Sequence, residues 1–246
     1  LVLSASTAKL GSSAKSSAVM VAMFACIAGS NLLQSNVTGL VTIPSTIVCF
    51  LFISFFATRL GQRKAMLIGS VGGLITNGIL AALWLFGDPT TMTSNPETGA
   101  LNWGYFLIIY LVFTIVTAGF QGISGNIVIP MTADCADYEV YRTGKYVPGL
   151  MGTLFSFVDK LVSSLAATVV ALFYSMVGFK DALPDTMTPY SDGIFWATIG
   201  CFVLLPIVGW LCNVVAMHFY PLTKEKMEEI QAEIGRIKAE AAAKQA

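Results

Sequence analysis

Charge is what this sequence has least of. Only 11% of its 246 residues are Asp, Glu, Lys or Arg, against about 25% in an ordinary soluble domain. Fourteen acidic and fourteen basic side chains cannot cover a water-soluble core of this size. The net charge is zero, which argues against a nucleic-acid partner. Histidine occurs once, as His218, near a helix end. The five cysteines (Cys26, Cys49, Cys135, Cys201, Cys212) include no C-x-x-C pair, and their number is odd. A disulfide framework or a zinc site is therefore not expected, and no metal is. No Walker loop and no H-E-x-x-H run is present, and no nucleophile-base-acid set is visible, so the chain does not read as an enzyme. No basic n-region precedes a short apolar run, so no signal peptide is read. Because the first residue is Leu1, we expect an N-terminal part of a longer protein to precede this segment.

What the sequence has is apolar length. Hydrophobic residues make up 55% of it. A membrane helix needs roughly 20 apolar residues to cross a hydrocarbon core about 30 Å thick. The expected spans are residues 37–57, 65–86, 103–131, 147–177 and 194–217, with a weaker, half-polar one at 3–27. Short polar breaks separate them, among them Arg59-Leu60-Gly61-Gln62-Arg63-Lys64 and the stretch from Gly87 to Asn102. The half-polar first span would have to face other helices or water, not lipid. The expectation is an all-α membrane protein of six transmembrane helices.

The charges that exist are sorted by side. Arg59, Arg63 and Lys64 follow the second span, Arg142 and Lys145 the fourth, and Lys224, Lys226, Arg236, Lys238 and Lys244 the sixth. The opposite loops hold Lys180 against Asp88, Glu97, Asp181, Asp185 and Asp192. By the positive-inside rule both ends of the chain are cytoplasmic. Residues 223–246 change composition and become rich in Glu, Lys and Ala. Thr223 suits a helix cap there, and Met227, Ile230, Ile234 and Ile237 form one apolar stripe. This reads as a cytoplasmic helix lying against the membrane face, or a partner-binding one.

Candidate functional residues are the polar ones inside spans. Asp159 and Lys160 lie deep in the fifth span, where a charge must be paired or hydrated. Ser156, Lys160 and Ser164 recur every four residues and form a polar stripe; Asp159 points about 100° away. The stripe fits a watery cavity carrying a substrate or coupling ion, or a structural salt bridge to another helix. Gln121 and Asn126 stand in a glycine-rich stretch of the fourth span, where their amides could hold ligand hydroxyls or bond across helices. Gly69-x-x-x-Gly73 reads as a packing motif. The loop from Ala133 to Lys145 gathers Asp134, Asp137, Glu139, Arg142 and Lys145 at the cytoplasmic edge. Paired charges there could lock helix ends and break when the protein changes state.

Asp134-x-x-Asp137-Tyr138-x-x-Tyr141-Arg142-Thr143-Gly144-Lys145, then Gly149-Leu150 and Ser156-Phe157-x-x-Lys160-Leu161, resembles the glycoside-pentoside-hexuronide:cation symporters, the melibiose-permease-like branch of the major facilitator superfamily (MFS). Tyr220-Pro221-Leu222-Thr223 before a charged helix, and Arg59-x-Gly61-x-Arg63-Lys64, resemble it too. The resemblance implies a twelve-helix fold in two six-helix halves, with this chain the C-terminal half. It implies cation-coupled (sodium or proton) symport of a sugar or glycoside in a bacterial inner membrane, without a cofactor. Lys160 matches a lysine near the sugar and cation pocket. Asp134, Asp137, Tyr138 and Arg142 match the cytoplasmic gate between the halves. The first-half aspartates that build the cation site lie outside this chain, and the tryptophan expected near Gly125 is absent, which speaks against a galactoside-type pocket. Other cargoes of the same fold (a sulfonated sugar, a nucleoside, a drug) and a complete six-span scaffold remain the alternatives. An ABC permease is disfavoured, because the turn from Arg59 to Lys64 is too short for a coupling helix.

Overall fold

The computed structural model describes Leu10 and residues 13–15, 17–29, 33–95, 100–144 and 148–243. Among these the regular structure is helical, with connecting turns and one isolated antiparallel bridge between Ser94 and Leu101. Its helices are α1 (Ser17–Val21, continued by a π-helical turn Ala22–Ile27), α2 (Leu33–Leu60), α3 (Gln62–Phe86), α4 (Tyr105–Asn126) and α5 (Val128–Thr143). They continue with α6 (Pro148–Met176), α7 (Asp192–Ile199, with a π-helical turn Gly200–Leu204), α8 (Leu205–His218) and α9 (Lys224–Ala243).

Five helical rods among the described residues are long and apolar enough to cross a membrane: Leu33–Leu60, Gln62–Phe86, Tyr105–Thr143, Gly149–Met176 and Asp192–His218. The stretches 37–57, 65–86 and 194–217 lie on them, as do residues 105–131 of the third expected span and 149–176 of the next. Of the weak stretch 3–27, residues 3–9, 11, 12 and 16 lie outside the described residues. Its described part is short and interior. Ala14, Val19, Ala22, Met23 and Phe24 have no exposed surface, and α1 packs against α7.

The bundle closes around α3, which sits between α4 and α8. Gly69 and Gly73 explain how. A Cβ on Gly69 would come within 2.9 Å of the Ser124 hydroxyl on α4, and one on Gly73 within 2.7 Å of the Trp210 ring on α8. The motif read from sequence therefore serves two neighbours, not one. Buried polar groups tie the same helices. Asn213 Nδ2 donates to Ser70 Oγ at 2.7 Å, and Asn77 Nδ2 to the Val203 carbonyl at 3.2 Å. In a low-dielectric interior such bonds specify one packing. Trp84 forms edge-to-face contacts with Phe106 and Tyr110, and Phe24 of α1 with Tyr110.

Two helices are under-packed. On α6, Ala166, Val170 and Tyr174 are buried, and the Tyr174 hydroxyl lies 2.9 Å from that of Thr198 on α7. Nearer its start, Leu150, Leu154, Phe157 and Leu161 stand exposed. On α2, Ile43, Ile47 and Phe50 are exposed along one face.

The stretch 133–143, read as a loop from its charge density, is helix. Pro130 occupies the third position of α5, where the N–H has no partner inside that helix. No further Gly or Pro occurs until Gly144. There the backbone turns left-handed, at φ 70°, and its N–H reaches the Val140 carbonyl at 2.8 Å. Glycine adopts this cap without a Cβ penalty. Lys145 lies outside the described residues.

Candidate functional site: a polar stripe and a clasped basic end

Lys160, Ser156 and Ser164 stand on the exposed side of α6, while Asp159 is partly buried. The stripe is therefore real as a surface. The serine hydroxyls in its neighbourhood turn back to the helix: Ser164 Oγ donates to the Leu161 carbonyl at 2.8 Å, and Ser163 Oγ to that of Asp159 at 2.7 Å. Such back-bonding satisfies a hydroxyl that faces an apolar medium. Ser156 also lines a cavity of about 490 Å³ between α5 and α6, with Thr132, Ala133, Gly152 and Phe155.

The amides of α4 are held differently. Gln121 is partly buried and Asn126 exposed. Asn126 Nδ2 donates to the Gly122 carbonyl at 2.9 Å and lies 3.8 Å from Cys49 Sγ on α2. A Cβ on Gly122 would collide with Cys49 Sγ, so α2 and α4 touch here at backbone distance. Asn126 marks that crossing, its amide bonded within α4 and reaching toward α2.

The clearest assembly is at the end carrying Gly61, Thr143 and Lys224. Asp137 Oδ2 accepts a hydrogen bond from Gln231 Nε2 of α9 at 2.6 Å. Asp134 lines a cavity of about 310 Å³ with Gln62, Thr223, Lys224, Glu228 and Gln231. Tyr138 is partly buried beside a cluster that includes Met131, Tyr220, Ile230 and Ile234. Arg142 pairs with Glu139 one turn away on the same helix, at 3.8 Å on the surface. Of the four expected gate residues, then, Asp134 and Asp137 face α9, Tyr138 adjoins the cluster that α9 helps to build, and Arg142 stays on its own helix.

The tail stripe explains this docking. Ile230 is fully buried and Ile234 nearly so, with Met227 packed alongside; the Ile237 side chain lies outside the described ones. Thr223 Oγ1 caps α9 at the Lys226 N–H, 3.3 Å away. The Glu225 carboxyl is held below its ordinary range by its own backbone N–H, then by the Thr223 hydroxyl, Lys64 and Lys224. Arg63 clamps the adjoining end of α8, its Nε donating to the Met217 carbonyl at 3.2 Å and its Nη2 to that of His218 at 3.1 Å. A cation at a helix C-terminus satisfies carbonyls that have no partner inside the helix.

Residues 6–224 match the model of the MFS/sugar transport protein family. This chain belongs to that family. The MFS chain is also similar to the glucuronide carrier protein homolog of Escherichia coli strain K12. The two are 25% identical over 209 residues, which is 81% of this chain and 40% of the relative. The chain thus spans less than half of that relative's length. No solved structure matches it.

One buried polar contact of this MFS chain was not singled out from sequence. Lys15 Nζ donates to Asn77 Oδ1 at 3.2 Å and stands 4.5 Å from the centre of the Phe202 ring. The available signal was a lysine inside a segment already judged half polar.

Proposed function

We propose that this chain is the C-terminal six-helix half of a transporter that carries a sugar or glycoside across the membrane by alternating access, driven by sodium or a proton. The carrying observation is the under-packed start of α6, where Lys160, Ser156 and Ser164 present a polar stripe that neighbouring described helices leave uncovered. A polar face at this depth calls for a watery cavity or a second bundle. Family membership and coverage of only 40% of a relative support the second bundle. That relative's name, a glucuronide carrier, brings sugar acids within the range of cargo.

In this reading Lys160 and Asp159 line the pathway, and Gln121 and Asn126 approach ligand hydroxyls when the halves rearrange. The basic end is cytoplasmic by the positive-inside rule. Asp134, Asp137, Tyr138 and Arg142 gate it, with α9 clasping the gate from outside. The chain resides in the plasma membrane, a bacterial inner membrane on this reading, and needs no cofactor beyond the coupling cation. The test is counterflow of labelled sugar through the complete protein in proteoliposomes. Saturable exchange supports the reading; its absence across neutral and acidic sugars, with exchange of a nucleoside or drug, would transfer the fold to another cargo.

A further inference from the structure

On two neighbouring helices the uncovered residues are apolar without exception. Between Ala65 and Phe86 of α3 every exposed side chain is apolar, and so is every one between Leu205 and Met217 of α8. Val71, Ile75 and Ile79 mark the first row, and Val208, Leu211 and Val215 the second. The two helices meet at Gly73 and Trp210, so the rows are uncovered faces of one packed pair. The uncovered side of α6 differs: there Leu154 and Phe157 alternate with Lys160 and Ser164. A face without polar groups suits acyl chains, whereas a mixed face calls for water or a second bundle.

Both rows end at a cationic corner. Lys64 stands seven residues before Val71, two turns along the same side of α3, and is exposed. Beside it, Arg63 ties α3 to the end of α8 through the Met217 and His218 carbonyls. These bonds use two of the five N–H donors of a guanidinium. No Asp or Glu stands before Asp88 in the sequence, nor between Asp192 and Glu225, so neither α3 nor α8 carries a carboxylate. Lys224 shares its cavity with Asp134 and Glu228. Glu225 lies within the fields of Lys64 and Lys224, and Arg63 and Lys64 together outnumber it. An excess of positive charge thus sits where two apolar rows stop, which is the depth of phospholipid headgroups.

We propose that this corner binds an anionic phospholipid from the leaflet on the basic side. Its phosphate lies between Lys64 and the remaining N–H groups of Arg63, and its acyl chains run along the rows of α3 and α8. The inference rests on the membrane reading of the chain and on no choice of cargo. One basic residue near the surface is worth about fivefold in affinity for an anionic lipid.

The experiment uses the complete protein carrying Val71→Trp, which sets an indole two turns from Lys64. It is placed in phosphatidylcholine nanodiscs that hold a minor share of brominated phosphatidylglycerol or of brominated phosphatidylcholine, and quenching of its fluorescence gives the relative binding constant of the two lipids. Phosphatidylglycerol is expected to be preferred at least about fivefold. Adding Lys64→Gln should lower that preference about fivefold, toward one, and Lys64→Arg should keep it. Arg59→Gln removes the same charge from α2, where Arg59 lies over the Phe55 ring, and should leave the preference within about twofold. Equal quenching by the two lipids overturns the inference, as does a Lys64→Gln protein that keeps the preference. Arg59→Gln lowering it as much as Lys64→Gln would reduce the site to a diffuse field and overturn it too. So would displacement of the lipid by millimolar glycerol phosphate, which would make the corner a site for free anions. Sugar transport by the complete protein enters none of these outcomes.

Discussion

Ile230→Ala probes the docking of α9 most cleanly. Ile230 is fully buried in the cluster that holds Ile127, Val128, Met131, Met217 and Tyr220. The substitution removes three carbons, worth about 2.4 kcal/mol at ~0.8 kcal/mol each. The cavity left behind adds to this, for a total of about 2.5–4 kcal/mol. At 1.4 kcal/mol per factor of ten, the undocked population of the tail rises between roughly sixtyfold and several hundredfold. Amide hydrogen exchange over residues 224–243, read by mass spectrometry on the complete protein, reports that population directly. Exchange should accelerate by the same factor within α9 and little in α3. Glu229→Ala is the control: its pair with Lys226 at 2.8 Å is exposed and such pairs contribute about 0–1 kcal/mol. Exchange in Ile230→Ala within about twofold of wild type would refute the docked tail, since twofold corresponds to only about 0.4 kcal/mol.

Three further expectations follow from particular contacts. Asp137→Asn removes the charge that strengthens the Gln231 bond, so turnover should slow more than sugar affinity falls; an equal loss of affinity contradicts a gating role. Gly122→Ala forces a methyl group into Cys49 Sγ and should cost about 1–3 kcal/mol, seen as a lower melting temperature in detergent and relieved by Cys49→Ala; an unchanged melt would mean α2 and α4 do not touch there. Glu225 is held below its ordinary pKa of 4.5, so its contribution to tail docking is present above that pH and fades as pH falls through the lowered value. The protection factor of the first turn of α9, corrected for the intrinsic exchange rate at each pH, should fall on acidification below pH 4.5 in the wild type, and less so in Glu225→Gln; the same fall in both would remove Glu225 from the account.

The sequence made some elements legible and hid others for identifiable reasons. Long apolar runs announce membrane helices, because only a helix satisfies its backbone without water. The stripe at Met227, Ile230 and Ile234 carries the 3.6-residue period on a polar helix, so its buried face could be read before its seat was known. The stretch from Ala133 reads as a charged loop, yet it holds no Gly or Pro before Gly144 and is helix through Thr143. Asp134, Asp137 and Tyr138 are spaced three and four apart, as one helix face requires. The Gln231–Asp137 bond joins residues 94 positions apart, and the Lys15–Asn77 contact joins residues 62 apart. No local pattern encodes such pairings. Periodicity places Lys160 on a polar stripe, but it cannot say that the described helices would leave the start of α6 uncovered.

Gradient-driven uptake by the complete protein tests the central claim most directly. Labelled sugar would be supplied to proteoliposomes with and without an imposed sodium or proton gradient, for the wild type and for Lys160→Ala. The account predicts gradient-stimulated accumulation in the wild type, and its loss in Lys160→Ala at unchanged membrane incorporation. Accumulation by Lys160→Ala at the wild-type rate would contradict the placing of Lys160 in the transport path.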